Sequence, residues 1–277
     1  MKEAVRRLRV EGRTIGLVPT MGFLHEGHLS LVRECRRSAD VTVVSIFVNP
    51  LQFGPREDLA AYPRDIERDA GLLERKDVDI LFAPEAGDMY PEGYQTTVDV
   101  PRLSRNLCGS SRPGHFKGVA TVVLKLFNII RPDLAFFGQK DAQQAAVLKR
   151  MAADLNLDVE VRVLPIVRET DGLAMSSRNV YLTPRERAAA VVLSRALAEA
   201  GQLFDRGERR AEVLIARVRT LIEREPSGRL DYVEVVGVSD LAPLEKIDRD
   251  ALVALAVYFG RTRLIDNIVL EMKGKQK

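Results

Sequence analysis

Up to about Val167, apolar runs rich in β-branched residues alternate with segments of helical period: "TIGLVPT", "HLSLVRECRRSA", "VTVVSIFVN", "DIERDAGLLERK" and "VDILFAP". This βαβαβ pattern has strands that read apolar on both faces. It therefore predicts a parallel sheet covered by helices on each side, with ligands beyond the strand C-termini. "VATVVLKLFNII", "DLAFFG", "DAQQAAVLKRMAADL" and "VEVRVLPIV" continue it. The polar stretch "RETDGLAMSSRNVYLTPRERAAA" then interrupts, and within it Thr183-Pro184-Arg185-Glu186 reads as a capping box with proline at the first helical position. We place a boundary in this loop, giving a Rossmann-like, doubly wound α/β domain over 1–168 and a smaller α+β domain over 169–277. The latter holds two amphipathic helical stretches, then "LDYVEVVG", then "LVALAVYFGRTRLIDNIVL" as two strands around a Gly-Arg turn.

With 277 residues and 46% hydrophobic content, the chain can bury a full core. Its charges nearly cancel at +3, and the basic residues are scattered rather than gathered into a stripe, which argues against nucleic acid as the main partner. Cys35 and Cys108 have no CxxC spacing, and "MKEAVRRLRVEG" has no apolar stretch behind its charges, so a reducing, cytoplasmic setting is expected. The longest apolar runs fall far short of the roughly 20 residues that cross a bilayer, and no membrane span is expected.

"VPTMGFLHEGHLSL", positions 18–31, carries a strand through a glycine-bearing turn into a helix, the usual way to aim backbone N–H groups and a positive helix end at phosphate. It has the glycine spacing of a Walker A loop, but His28 and Leu29 stand where that loop needs Lys and Ser or Thr. His25 and His28 are open to three readings: ordinary turn residues, zinc ligands, or phosphate donors. Each of the three histidines lies in a glycine-containing polar segment rather than on an apolar face, which favours function over packing. An isolated H-x-x-H is a weak metal signal. Two imidazoles at a helix N-terminus can stabilise charge on phosphate without a metal.

Other segments are weaker alone. "FFGQKDAQQ" sets Lys140 and Asp141 at a strand end where open sheets bind ligands, with Gln143 and Gln144 able to read hydroxyls or a carboxylate; a solvated Lys-Asp pair is the plainer alternative. "LAMSSRN" offers Ser176, Ser177 and Arg178 in a mobile loop suited to polyphosphate, or a simple linker. Asn49, Gln52 and Tyr62 could line a polar pocket. "SSRPGHFKGVATVV" is a turn before a helix or a strand, covering the site or merely connecting.

Taken together and in order, "PTMGFLHEGH", "FVNPLQF", "YPRD", "RPGHFKGVATVV", "FFGQKDAQQ" and "MSSRNVYL" resemble the pantothenate synthetase (pantoate-β-alanine ligase) family of class I nucleotidyltransferases. The resemblance implies ATP-dependent condensation of pantoate with β-alanine through a pantoyl adenylate. It implies ATP with Mg2+ as substrate, no tightly bound cofactor, no protein metal ligand, and a homodimer. Carried over motif by motif, it implies catalytic roles for His28, His25 and Lys140. ATP contacts would come from Met21, Gly22, Phe23, Leu24, His25, Glu26, Gly27 and His28, from Gly138, Gln139, Lys140 and Asp141, and from Val167, Met175, Ser176, Ser177 and Arg178. Gln52 and Gln144 would hold pantoate. Asp69, either a contact to nucleotide-bound magnesium or a solvated helical residue, is left outside this set with the second as the expectation.

A nucleotidyltransferase that keeps the nucleotide on its product is the nearest rival, and Gln52 and Gln144 in their motifs argue against it. An aminoacyl-tRNA synthetase lacks support because no long basic region follows "MSSRN". A binding-only ATP sensor would need departures from the catalytic motifs, and none occurs.

Overall fold

The computed structural model describes residues 1–55 and 57–272. Five parallel strands, β1 (Ile15–Thr20), β2 (Val41–Ile46), β3 (Ile80–Phe82), β4 (Leu134–Gly138) and β5 (Glu160–Leu164), form a sheet of order β3-β2-β1-β4-β5. Ile15, Leu17, Val18, Val43 and Val44 are fully buried, as the apolar reading of both strand faces requires. Helices α1 (Lys2–Val10), α2 (Glu26–Ser38), α3 (Ile66–Glu74), the short α4 (Ala86–Met89) and α5 (Cys108–Ser111), α6 (His115–Ile130) and α7 (Ala142–Asp154) complete this part. The Pro-Gly-His turn therefore opens a helix, not a strand, and α6 is buried over most of its length.

The sheet splits where the site forms. β1 pairs with β2 from Ile15 to Thr20, but with β4 only at Gly16 and Leu17. Beyond Leu17 lies Pro19, which has no N–H to donate. The strand order also reverses between β1 and β4, and a crevice at the C-terminal side of such a switch point is where open α/β sheets bind ligands.

The chain continues through α8 (Pro184–Ala189), α9 (Val192–Asp205) and α10 (Ala211–Glu223) into an antiparallel sheet of order β6-β7-β8, formed by β6 (Gly228–Gly237), β7 (Ala251–Phe259) and β8 (Thr262–Leu270). The capping box is present: Thr183 Oγ1 accepts the Glu186 N–H, and Glu186 Oε2 accepts the Thr183 N–H. The Gly-Arg turn is the two-residue loop between Phe259 and Thr262. β7 is apolar throughout because its two faces serve different cores. Leu252 and Ala254 join the cluster formed by β1, β4 and α6, while Ala251, Val253, Leu255 and Val257 pack in the cluster of α9 and α10. The small sheet is thus fastened to the large one by side chains of its own central strand. No described helix is long and apolar enough to cross a membrane.

Candidate active site

His25 is the N-cap of α2. Its Nδ1 accepts the Gly27 N–H at 3.1 Å, and the Nδ1 of His28 accepts the His25 N–H at 3.3 Å, so the two rings close a reciprocal cap, 4.0 Å apart between centroids. A ring nitrogen that accepts carries no proton, so each neutral imidazole is the Nε2–H tautomer, a donor. Burial, followed by the charges of Lys140 and Arg68, lowers the His25 pKa to about 4; burial, then His25 and Lys140, pushes His28 well below the usual histidine value. Gly27 is required by contact: a Cβ there would lie 2.8 Å from the His25 ring.

These shifts are also stability statements. His115 is likewise lowered to about 4, by burial and then by Arg112. Between pH 6.5 and 4 the unfolded chain binds protons that the folded chain refuses, so stability falls as pH drops through that window. The interval from pH 6.5 to 5 lies above the ordinary carboxylate range, and only Glu234, raised by burial, works against the trend among the shifted carboxylates. The melting temperature should fall measurably across it; a flat profile there would contradict buried, neutral rings.

The turn ahead of His25 is held under strain. Phe23 has φ 49°, a left-handed conformation unusual for a side chain of its size, and its carbonyl accepts Ser177 Oγ at 3.2 Å. The Arg68 guanidinium lies 4.9 Å over the Phe23 ring and donates to the Leu24 carbonyl. Asp69 corrects an expectation: it is not solvated but 1% exposed, and its Oδ1 accepts the Leu24 N–H at 2.9 Å. Its Oδ2 is buried without a partner. Helical period could not reveal this, because the contacts come from a turn some 45 residues earlier.

The crevice between β1 and β4 is a cavity of about 230 Å³ whose walls include Met21, His25, Gly27 and His28, Gln52, Gly138, Lys140, Asp141 and Gln144, and Val167 with Met175 to Arg178. The structure thus brings most of the sequence-derived set together. Gly22, Phe23, Leu24, Glu26 and Gln139 do not line it. Leu24 is core, Glu26 pairs with Arg33 outside, and Gln139 turns to Asn267. Lys140 is half-buried, and burial lowers its pKa while Asp141 opposes the shift. Among the described residues no carboxylate lies within ion-pair distance of its ammonium.

Gln52 has a fixed amide. Asn49 Nδ2 donates to Gln52 Oε1 at 3.0 Å, and Gln52 Nε2 points to Met21 Sδ, which leaves one N–H for an acceptor in the cavity. Asn49 is itself locked by Tyr90 and the Gly118 carbonyl. The main chain of Gln52 is held as well: His115 Nδ1 and Arg112 both reach its carbonyl, with Arg112 clamped on Glu57. Gln143, in contrast, takes no part in the pocket; its buried amide bonds the Cys108 N–H and the carbonyls of Leu103 and Asn106.

The segment carrying Ser176 to Arg178 has structure and partners of its own. It forms a 3-10 helix over Ser177–Tyr181, Arg178 makes a two-bond pair with Asp58, and Tyr181 bonds the Ala61 carbonyl. Ser176 Oγ accepts the Arg178 N–H and keeps its own proton for the cavity. A second, open cavity of about 1080 Å³ continues from Lys140, Asp141 and Gln144 along the face of β8.

Among the described residues no three His, Cys, Asp or Glu side chains are grouped to hold a metal ion. The pocket instead offers neutral imidazole donors, an unpaired lysine, a serine hydroxyl and two carboxamides, a set suited to a polyphosphate beside a small polar acid. The family profile described as Pantoate-beta-alanine ligase matches residues 1–269. The chain belongs to that family. Pantothenate synthetase of Pelotomaculum thermopropionicum is 60% identical over 266 residues, covering 96% of this chain and 94% of the relative. The crystal structure of the Thermus thermophilus pantothenate synthetase superposes with TM-score 0.91 at 47% identity, covering 95% of this chain and 96% of that one. That of the Francisella tularensis pantoate-beta-alanine ligase, complexed with beta-gamma ATP and beta-alanine, gives 0.79 at 34%, covering 96% and 93%.

Proposed function

We propose that the chain condenses (R)-pantoate with β-alanine at the expense of ATP, giving pantothenate, AMP and diphosphate through an enzyme-bound pantoyl adenylate. The observation that carries this reading is the single cavity in which Gln52 and Gln144 share walls with His25, His28 and Lys140. A polyphosphate site alone would leave the acceptor open; carboxamides on the walls of the same crevice suit a small hydroxy acid.

In the first step a pantoate carboxylate oxygen bonds the α-phosphorus of ATP as the bond to the β-phosphate oxygen breaks. A carboxylate is a weak nucleophile, so alignment supplies much of the rate. Mg2+ enters with ATP as part of the substrate. The Nε2–H of His28, assisted by His25, Lys140 and Ser176, meets charge building on the departing diphosphate. In the second step the β-alanine amine attacks the acyl carbon, a C–N bond forms, and AMP leaves with the bonding pair. The amine reacts as the free base and gives its extra proton to solvent. The mixed anhydride hydrolyses if water reaches it, and we assign the covering role to the segment 169–277. A homodimer in the cytoplasm belongs to the same reading, and light scattering checks the oligomer.

The adenylate is tested by pantoate-dependent exchange of labelled diphosphate into ATP without β-alanine; no exchange would remove it. Lys140→Ala should lower kcat about 10²-fold. Gln52→Ala should raise the pantoate KM about tenfold or more, the worth of a hydrogen bond to a charged group. Steady-state kinetics on both substrates decide, and matching profiles for the two variants would undo this division of roles.

A further inference from the structure

Asp266 and Asn267, neighbours on β8, reach from the small sheet to the loops that follow β4 and β5. Asn267 Nδ2 donates to the carbonyls of both Gln139 and Lys140, each at 3.0 Å, and Gln139 Nε2 returns a 3.0 Å bond to Asn267 Oδ1. Arg168 grips Asp266 at 2.7 and 3.0 Å, and Asp266 Oδ1 accepts the Asn267 N–H at 2.8 Å. Both side chains are nearly wholly buried, 1% exposed for Asp266 and 3% for Asn267. Burying them costs desolvation that an apolar pair would avoid.

What they hold explains the arrangement. Gln139–Asp141 is a single 3-10 turn, and the Lys140 ammonium makes no ion pair among the described residues, so the anchor the structure shows for this lysine is the bond to its main-chain carbonyl. One uncharged carboxamide can donate to two successive carbonyls at once. We infer that Asn267 is a positioning residue for Lys140, fixing the peptide from which the lysine springs and so the place of its ammonium in the cavity. The inference rests on the role given above to Lys140.

Asn267→Ala and Asn267→Thr remove the double donor, and threonine also keeps the strand preference of β8 should the alanine variant fail to fold. Each should lower kcat for pantoate-dependent diphosphate release about 10- to 100-fold, the effect of a reacting group misplaced by about an ångström, with the pantoate KM within about twofold. In a Lys140→Ala background the same changes should cost nothing further, because a residue acting through Lys140 has nothing left to position. Amide exchange over residues 134–148 of the ligand-free variants should be faster than in the parent. Parental turnover in both variants, an equal loss with and without Lys140, or unchanged exchange would each overturn the clamp. A parent protein that turns over no substrate would overturn the functional reading instead, and the exchange measurement would still decide the clamp.

Discussion

Replacing His28 with alanine is expected to lower kcat about 10²- to 10³-fold, the usual loss when one preorganised transition-state donor is removed. Burial holds the ring neutral, its Nδ1 accepts the His25 N–H, and its Nε2–H is the donor proposed to meet the departing diphosphate. The substitution also opens half of the α2 cap, so stability should fall by about 1 kcal/mol and the melting temperature by a few degrees. That loss is too small to explain the rate. Single-turnover diphosphate release separates the two effects, and an unchanged rate at an altered melting temperature would leave His28 a capping residue only.

Gly118→Ala carries the second large effect, and its sign discriminates. Helix propensity alone says that alanine within α6 should stabilise by about 1 kcal/mol. A Cβ at Gly118, however, would overlap the Leu51 carbonyl oxygen and sit 2.7 Å from the Gln52 nitrogen, both main-chain atoms. Neither can swing aside as a side chain would, so α6 must move or the turn bearing Gln52 must move. Overpacking of this kind costs about 1–3 kcal/mol, worth several degrees of melting temperature. The displaced turn should also raise the pantoate KM about tenfold. Thermal melting and pantoate titration check both; a variant as stable and as tight as the parent would mean that the Gln52 turn is not held by α6.

The architecture was readable because parallel strands covered on both faces leave unbroken apolar runs, as in "VTVVSIFV", and because the Thr183 capping box marks a helix start locally. The pocket was readable as a set of motifs, and the strand ends bring them together without any one motif requiring it. What stayed hidden depends on contacts distant in sequence. Nothing near Asp69 signals that its carboxylate supports the Leu24 turn, nothing in "MSSRN" signals the pairing of Arg178 with Asp58, and nothing marks Asn267 out from the other polar residues of its strand, Thr262, Arg263 and Asp266. Gln143 and Gln144 look alike in the sequence. One residue of helical rotation sends the first into a structural network and leaves the second on the cavity wall.

The reaction itself is decided by the product balance from ATP, Mg2+ and (R)-pantoate, with and without β-alanine. AMP, diphosphate and pantothenate are expected in equal amounts, with steady production only when β-alanine is present. A nucleotide that remains attached to the product, or ADP and phosphate in place of AMP and diphosphate, would contradict the two-step ligation.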